Sequence, residues 1–511
     1  EICSRDWSSD VCSSDLALLL ADAVFASTLR LSYSANVGRL NPVLATDSAS
    51  SEISDWLFDS LLKYDKNGQI SPQMAKSYRF TDDKTLVIEL KEGLKWWDGK
   101  PVTAKDAVFT YEFTKNPKVF TPYAENYRKV ESVTAKDEKT IVVKYKEPYF
   151  KALEVWLGAI LPSHILSNEK EPMTSKFNFN PVGNGTYRLT KLEQGKEIEL
   201  TANPSYFEGE AKIKRVLYRF LPDSSTQFLM LKTGKLDIGS LTPMQLAKQI
   251  DSSFRQKYQI IQNQGSNYTY LGFNLKNPKF QNKKLREALS LAIDRQEIID
   301  LLFFGKAKVS TGPFLPGSYG YDGDVKKPSR DIKEAKRLLR ELGYDEKNPF
   351  RFEISTNSNN PLRMLSAEII QQQLKDVGVD ARIRAMEWQA FLNTVVDPRR
   401  FEAVLMGWSM PLSPDAYSIW HSSQIEKKAG FNFLAYKNDR VDALIEKGEK
   451  TIDRKALEGI YKEIFRVIAD DKPCLFLYAP DSIVAVSKKI KNIEPSIIGI
   501  MHNRTKWEFE E

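Results

Sequence analysis

Trp96 and Trp97 stand side by side before Asp98-Gly99, a turn-forming pair. In an alternating strand one of those two indoles must face away from its own core. Trp388, Trp408 and Trp420 fall in loop-like or strand-end contexts, near Gly407 and Pro411. Flat rings beside Gly, Ser and Pro suit a ligand cleft, which needs apolar area and few fixed polar groups; core packing is the alternative for each indole taken singly. Bond-making chemistry is harder to find. The chain has no His-Glu-x-x-His, no Gly-x-Ser-x-Gly, no Walker loop and no Cys-x-x-Cys. His164, His421 and His502 lack the close pair that histidine metal sites usually show. Cys474 lies in the apolar run Cys474-Leu475-Phe476-Leu477-Tyr478 and reads as a core residue rather than a nucleophile. Gly183-Asn184-Gly185 resembles part of a dinucleotide fingerprint but leads into a strand, so it reads as a turn. These residues favour binding over catalysis.

The elements that must position them are mixed. Strand patterns fall at 29–33, 77–80, 86–90, 130–133, 140–145 and 381–384, with polar turns at 81–84 and 136–139 closing two hairpins. Helical spacing appears at 54–62, 329–342, 361–377, 440–449 and 455–469. Thr103 with Asp106 three residues on forms a capping box for a helix running through Tyr111. Gly378 closes the helix at 361–377. Interleaved strands and helices define an α/β or α+β class with more than one sheet.

Composition is that of a globular protein: 511 residues, 42% hydrophobic and 28% charged, which excludes collagenous, disordered and disulfide-scaffold classes. The net charge of +7 is small for this length and its bases are interspersed with acids, so no nucleic-acid partner is implied. Residues 1–16 carry Ser8-Ser9-Asp10 repeated as Ser13-Ser14-Asp15 and resemble adapter-derived translation fused to a gene. Residues 16–26 read as the remnant h-region and cleavage site of a secretory signal peptide, with no lipobox visible. An exported chain cleaved after Ala26 keeps a single cysteine, Cys474, and is stabilised by its core alone.

The stretch AKSYRFTDDKTLVIELKEGLKWWDGKPVTAKDAVFTYEF, from Ala75 to Phe113, resembles the family 5 extracellular solute-binding proteins. It follows their strand–turn–strand–aromatic-Asp-Gly-x-Pro-x-Thr-Ala-x-Asp pattern. Supporting pieces arrive in family order: Leu161-Pro162-Ser163-His164, Pro181 to Tyr187, Ala202 to Phe207, Gly272-Phe273-Asn274, Leu285 to Arg295 and Met406-Gly407-Trp408. Such proteins serve transporters for oligopeptides, dipeptides, nickel and some sugars.

The resemblance implies an α/β fold, a two-lobed type II periplasmic-binding-protein clamshell with a side subdomain in lobe one. Residues 1–26 stand apart, 27–272 form lobe one with the side subdomain at 71–180, 273–483 form lobe two, and 484–511 return to lobe one. Hinges are expected at 267–274 and 479–486. The implied protein is a periplasmic monomer that is not an enzyme and needs no cofactor. It would capture a peptide and deliver it to ABC permease subunits in the inner membrane. An oligosaccharide or a nickel complex is the alternative ligand, and a periplasmic chaperone or a hydrolase the alternative class. Trp388 follows Glu387 as in peptide-binding members. Those members place an amine-pairing Asp where this chain has Pro411, and some carry an Arg where it has Leu405. Asp415 is expected to supply the missing negative charge. The remaining candidate ligand contacts are Asn36, Val37, Gly38, Trp97, Tyr123, Gly407, Trp408, Ser409 and Tyr417.

Overall fold

The computed structural model describes residues 28–428 and 430–510; the adapter-like header and the signal remnant lie outside them. The first strand, Thr28–Tyr33, runs parallel to Arg215–Phe220, and Glu197–Ala202 and Tyr187–Glu193 continue that sheet antiparallel. A second four-stranded sheet orders Ala75–Asp82, Thr85–Leu90, Thr140–Tyr145 and Val130–Ala135, so both hairpins expected from the sequence share one sheet. The helix Ala104–Lys115 packs against it, its start fixed by the Thr103 amide donating to Asp106 Oδ2 at 2.8 Å. One apolar cluster runs from Leu29 through Ile88 and Val143 to Trp507, so the side subdomain shares the core of lobe one.

Lobe two is built on the largest sheet. Phe350–Asn357 lies parallel to both Val379–Met386 and Ala403–Ser409, and Asn267–Phe273 pairs antiparallel with the last of these. Successive side chains alternate between two cores. Tyr268, Tyr270, Val404 and Met406 pack towards the helices Asp439–Lys450 and Arg454–Asp471. Leu271, Phe273, Ala403 and Leu405 pack towards Lys283–Ala292, Arg295–Phe303 and Pro361–Lys375. A strand covered on both faces reads as an unbroken apolar run, which accounts for the sequence around Cys474. Cys474 is buried and burial pushes its thiol pKa up, as suits a core residue.

That run opens a fourteen-residue strand, Cys474–Ser487, shared by both lobes. Its first half pairs with Asn267–Phe273 and its second half with Tyr258–Gln264. Asn267–Phe273 is registered within lobe two, and the long strand changes partner between Pro480, opposite Ala307, and Asp481, opposite Gln264. Gly265 is obligatory there: a Cβ would come within 2.3 Å of the Pro480 carbonyl oxygen. The first helix also shifts. It spans Ser48–Leu57, capped by Asp47, whereas apolar spacing placed it at 54–62.

Candidate functional site

Three parallel strands of lobe two end at the same edge, at Asn357, Met386 and Ser409. Ligands of open α/β sheets bind beyond such carboxyl ends. The lobe-one loop after Tyr33 faces this edge and meets it directly. Asn359 Nδ2 donates to the Ser34 carbonyl at 3.1 Å, and Gln389 Nε2 donates to the Asn36 carbonyl at 3.2 Å. Trp388 Nε1 makes a long contact, 3.5 Å, to Asp47 Oδ1. The two lobes are therefore closed on one another.

Local structure explains why these residues reach the seam. Glu387 accepts hydrogen bonds from the Gln389 and Ala390 amides and so caps the short helix Trp388–Phe391, aiming Trp388 and Gln389 off the strand end. Asp47 caps its helix through the Ser50 amide and accepts from Ser50 Oγ at 2.6 Å. Ser50 Oγ in turn receives the Gly38 amide at 2.7 Å. A Cβ on Gly38 would sit 3.2 Å from Gln389 Oε1, tighter than nearly all real contacts, so glycine permits the close approach of the lobes. Asn36 Oδ1 is buried with no hydrogen-bond partner among the described residues, which is uncommon for a buried polar atom.

The expected site residues divide. Asn36, Gly38 and Trp388 gather at the seam, and Gly407 lies on the lobe-two strand Ala403–Ser409, beside Tyr268. Trp408 stands half-buried at the same strand end, stacked on Phe433 with ring centroids 5.5 Å apart and edge-on to Phe431 at 5.1 Å. Ser409 ends that strand and is exposed. Tyr123 lies opposite, its ring 6.4 Å from Phe431, its hydroxyl donating to the Ala45 carbonyl at 3.0 Å. Burial pushes its phenol up to about 12.

Five expectations need correction. The Val37 side chain is in the core of lobe one, only 3% exposed, so only its backbone is near the seam; its carbonyl already accepts from Gln194 Nε2. Trp96 and Trp97 lie at a turn and not in an alternating strand, and Trp97 packs on Phe58 and Gly183, all within lobe one. Asp415 is not free to receive an amine. Its Oδ1 accepts the Tyr417 amide at 3.0 Å and its Oδ2 accepts Ser418 Oγ at 2.7 Å. Burial opposes its charge, yet the nearby Lys151 ammonium and these donors hold the carboxyl below its usual range. Tyr417 lies under the Arg128 guanidinium, 3.6 Å from ring to cation, and is part of an interlobe contact. Trp420, also singled out as a cleft aromatic, is 1% exposed and belongs to the core.

Sequence reasoning missed Asp47, Asn359 and Gln389. The Asp-x-x-Ser spacing at 47–50 was a readable cap signal; the others are single polar residues at strand and helix ends, with no spacing to mark them.

A two-lobed α/β frame, an intervening edge of strand ends and aromatic plus backbone groups on both walls define a solute-binding protein. The sequence matches the model of bacterial extracellular solute-binding proteins, family 5, over residues 69–429, and the chain belongs to that family. It is 31% identical over 488 residues to the oligopeptide-binding protein AppA of Bacillus subtilis, covering 91% of this chain and 89% of that one. The solved structure of that AppA in complex with a nonapeptide superimposes with a TM-score of 0.90, at 30% identity, covering 95% of this chain and 99% of the other. NikZ from Campylobacter jejuni in complex with Ni(L-His) superimposes with a TM-score of 0.85 at 27% identity, covering 94% and 99%.

Proposed function

We propose that this chain is the ligand-capturing component of an ABC importer, holding a peptide between its lobes and passing it to the membrane permease. The observation that carries the reading is the whole-length likeness, in fold and in sequence, to a protein solved with a nonapeptide in place. The walls suit such a ligand. Carbonyl and amide groups at 34–38 and at the ends of the lobe-two strands recur identically along any peptide, so they bind without selecting side chains. Trp388 and Trp408 add flat apolar area for side chains of varied shape. The protein is exported, works in the periplasm as a monomer and releases its ligand chemically unchanged. Among the described residues no helix is long and apolar enough to cross a membrane.

Mass spectrometry of small molecules released from gently purified protein tests this. Peptides are the expected species. Recovery of only a sugar or a metal complex would sink the reading.

A further inference from the structure

The three histidines are held differently. His164 Nε2 lies 2.7 Å from Asp98 Oδ2, and His502 Nδ1 lies 3.3 Å from Ser496 Oγ and from the Gly499 carbonyl. Those partners all belong to lobe one, so opening and closing of the lobes leaves them as they are. His421 stands where the lobes touch. It follows the short helix Tyr417–Trp420 of lobe two, is 7% exposed, and stacks on Tyr417 with ring centroids 4.4 Å apart. The Arg128 guanidinium of the side subdomain lies 3.6 Å from the centroid of that same ring. An imidazole and a guanidinium so close to one ring cannot share a face. Tyr417 is therefore sandwiched, with His421 on one side and Arg128 on the other.

The two nitrogens of His421 are not equivalent. Nδ1 receives the Ser423 amide at 3.2 Å and lies 2.9 Å from Ser423 Oγ. Only a bare nitrogen receives an amide N–H, so the neutral ring carries its proton on Nε2. That Nε2 is buried with no hydrogen bond among the described residues, 3.5 Å from Glu446 Oε1. A second proton must enter at Nδ1, where it displaces the Ser423 amide. The surrounding charges divide by lobe. Lobe two supplies carboxylates: Asp442, which accepts from Ser422, then Glu446 and Glu449 on the same face of Asp439–Lys450, and Asp415 at the start of the Tyr417 helix. Lobe one supplies cations: Arg128, paired with Glu449, and Lys129, 3.8 Å from it. Glu147 of lobe one is taken up by Lys129 and Lys450.

We infer that His421 is a proton-controlled latch on lobe closure: neutral, it backs Tyr417 against Arg128, and protonated, it favours the open form. Closing brings Arg128 and Lys129 towards the imidazole and neutralises Glu449, so the closed form holds a second proton less tightly than the open one. By reciprocity, a proton taken up at His421 shifts the lobes towards opening. This goes beyond the peptide reading and holds whatever the ligand, because the latch lies outside the binding edge.

Small-angle scattering of the unliganded protein at about pH 8 and about pH 5.5, either side of the histidine range, tests it. The unsubstituted protein should show a larger radius of gyration at the lower pH. His421→Gln, whose side chain stays neutral and can still receive the Ser423 amide, should lose that dependence, while His164→Gln and His502→Gln keep it. An unsubstituted protein that does not open on acidification, or a His421→Gln variant that opens as much, overturns the inference. Proton NMR of the imidazole C2–H, assigned by elimination with His164→Gln and His502→Gln, needs no change at His421. Arg128→Met should move the His421 titration to higher pH by about half a unit or more. An unmoved midpoint would mean that Arg128 does not oppose the proton, and the latch is rejected.

Discussion

Two of the contacts between the lobes are made of different chemistry. At the seam, Ser34, Asn36 and Gly38 face Asn359 and Gln389 through neutral groups and backbone carbonyls, and the Asp47 carboxylate opposite Trp388 is engaged in capping its own helix. Further out, the side subdomain grips lobe two through charges. Arg128 pairs with the buried Glu449 and stacks on Tyr417, Lys129 lies 3.8 Å from Glu449, and Glu125 pairs with Lys427 at 2.6 Å. Lys151 donates to the Pro414 carbonyl at 2.9 Å, with Glu154, Asp415, Tyr149 and Tyr319 around it. A seam of neutral groups can face any peptide without imposing a charge. The outer clamp touches no strand end of the binding edge, so it can set how firmly the lobes stay closed.

The comparison breaks most visibly at Arg128. Arg128→Met leaves Glu449 facing only Lys129 and removes the cation from Tyr417. One partner of a mostly buried pair is lost, an effect of about 3 kcal/mol that opening and hydration of the clamp would reduce to about 1–2 kcal/mol. Small-angle scattering should show a more open population without ligand, and ligand affinity should fall about tenfold. An unchanged scattering profile would mean the clamp does not govern closure.

A smaller effect separates two of the clamp's acids, Asp415 and Glu154, by pH. Asp415 has a folded pKa below its ordinary value, so its contribution is present above about 3.8 and is lost as pH falls through the lower folded value. Glu154 runs the other way. Burial outweighs Lys151 and raises its pKa above 4.5, so its ionised form destabilises the fold as pH rises through that window. Thermal unfolding between pH 3 and 7 should show Glu154→Gln more stable than the parent at pH 7 and equal to it at low pH. Asp415→Asn should be less stable at pH 7 and lose that deficit in acid. The reverse pattern would reject the assignment.

How far each contact was legible in the sequence follows from the same difference. Motif-bearing segments fixed the frame: the hairpins within 75–90 and 130–145 and the box at Thr103 and Asp106 mark themselves through local spacing. Trp388 and Trp408 could be picked out because the residues next to them carried the family pattern. The clamp could not be read. Arg128 meets Glu449 only through tertiary packing over more than three hundred residues, and nothing local distinguishes Arg128 from dozens of solvated bases. Asp415 misled for the opposite reason, since its loop position suggested a free charge and only the fold supplied Lys151.

The finest test of the contrast lies at Gln389. Its amide donates across the seam to the Asn36 carbonyl, a neutral hydrogen bond whose net value is about 1 kcal/mol or less. Gln389→Ala should therefore weaken ligand binding by about fivefold at most. Its effect should also be the same at about 0.05 M and about 0.5 M salt, because no net charge is involved. The Arg128→Met effect should shrink over the same range, as salt weakens the outer pairs Glu125–Lys427 and Glu147–Lys450 that act with it. Calorimetric titration of both variants at the two salt concentrations separates the cases. If Gln389→Ala proves as salt-sensitive as Arg128→Met, the seam is not electrostatically neutral, and the charge that closes the lobes acts through the ligand site itself.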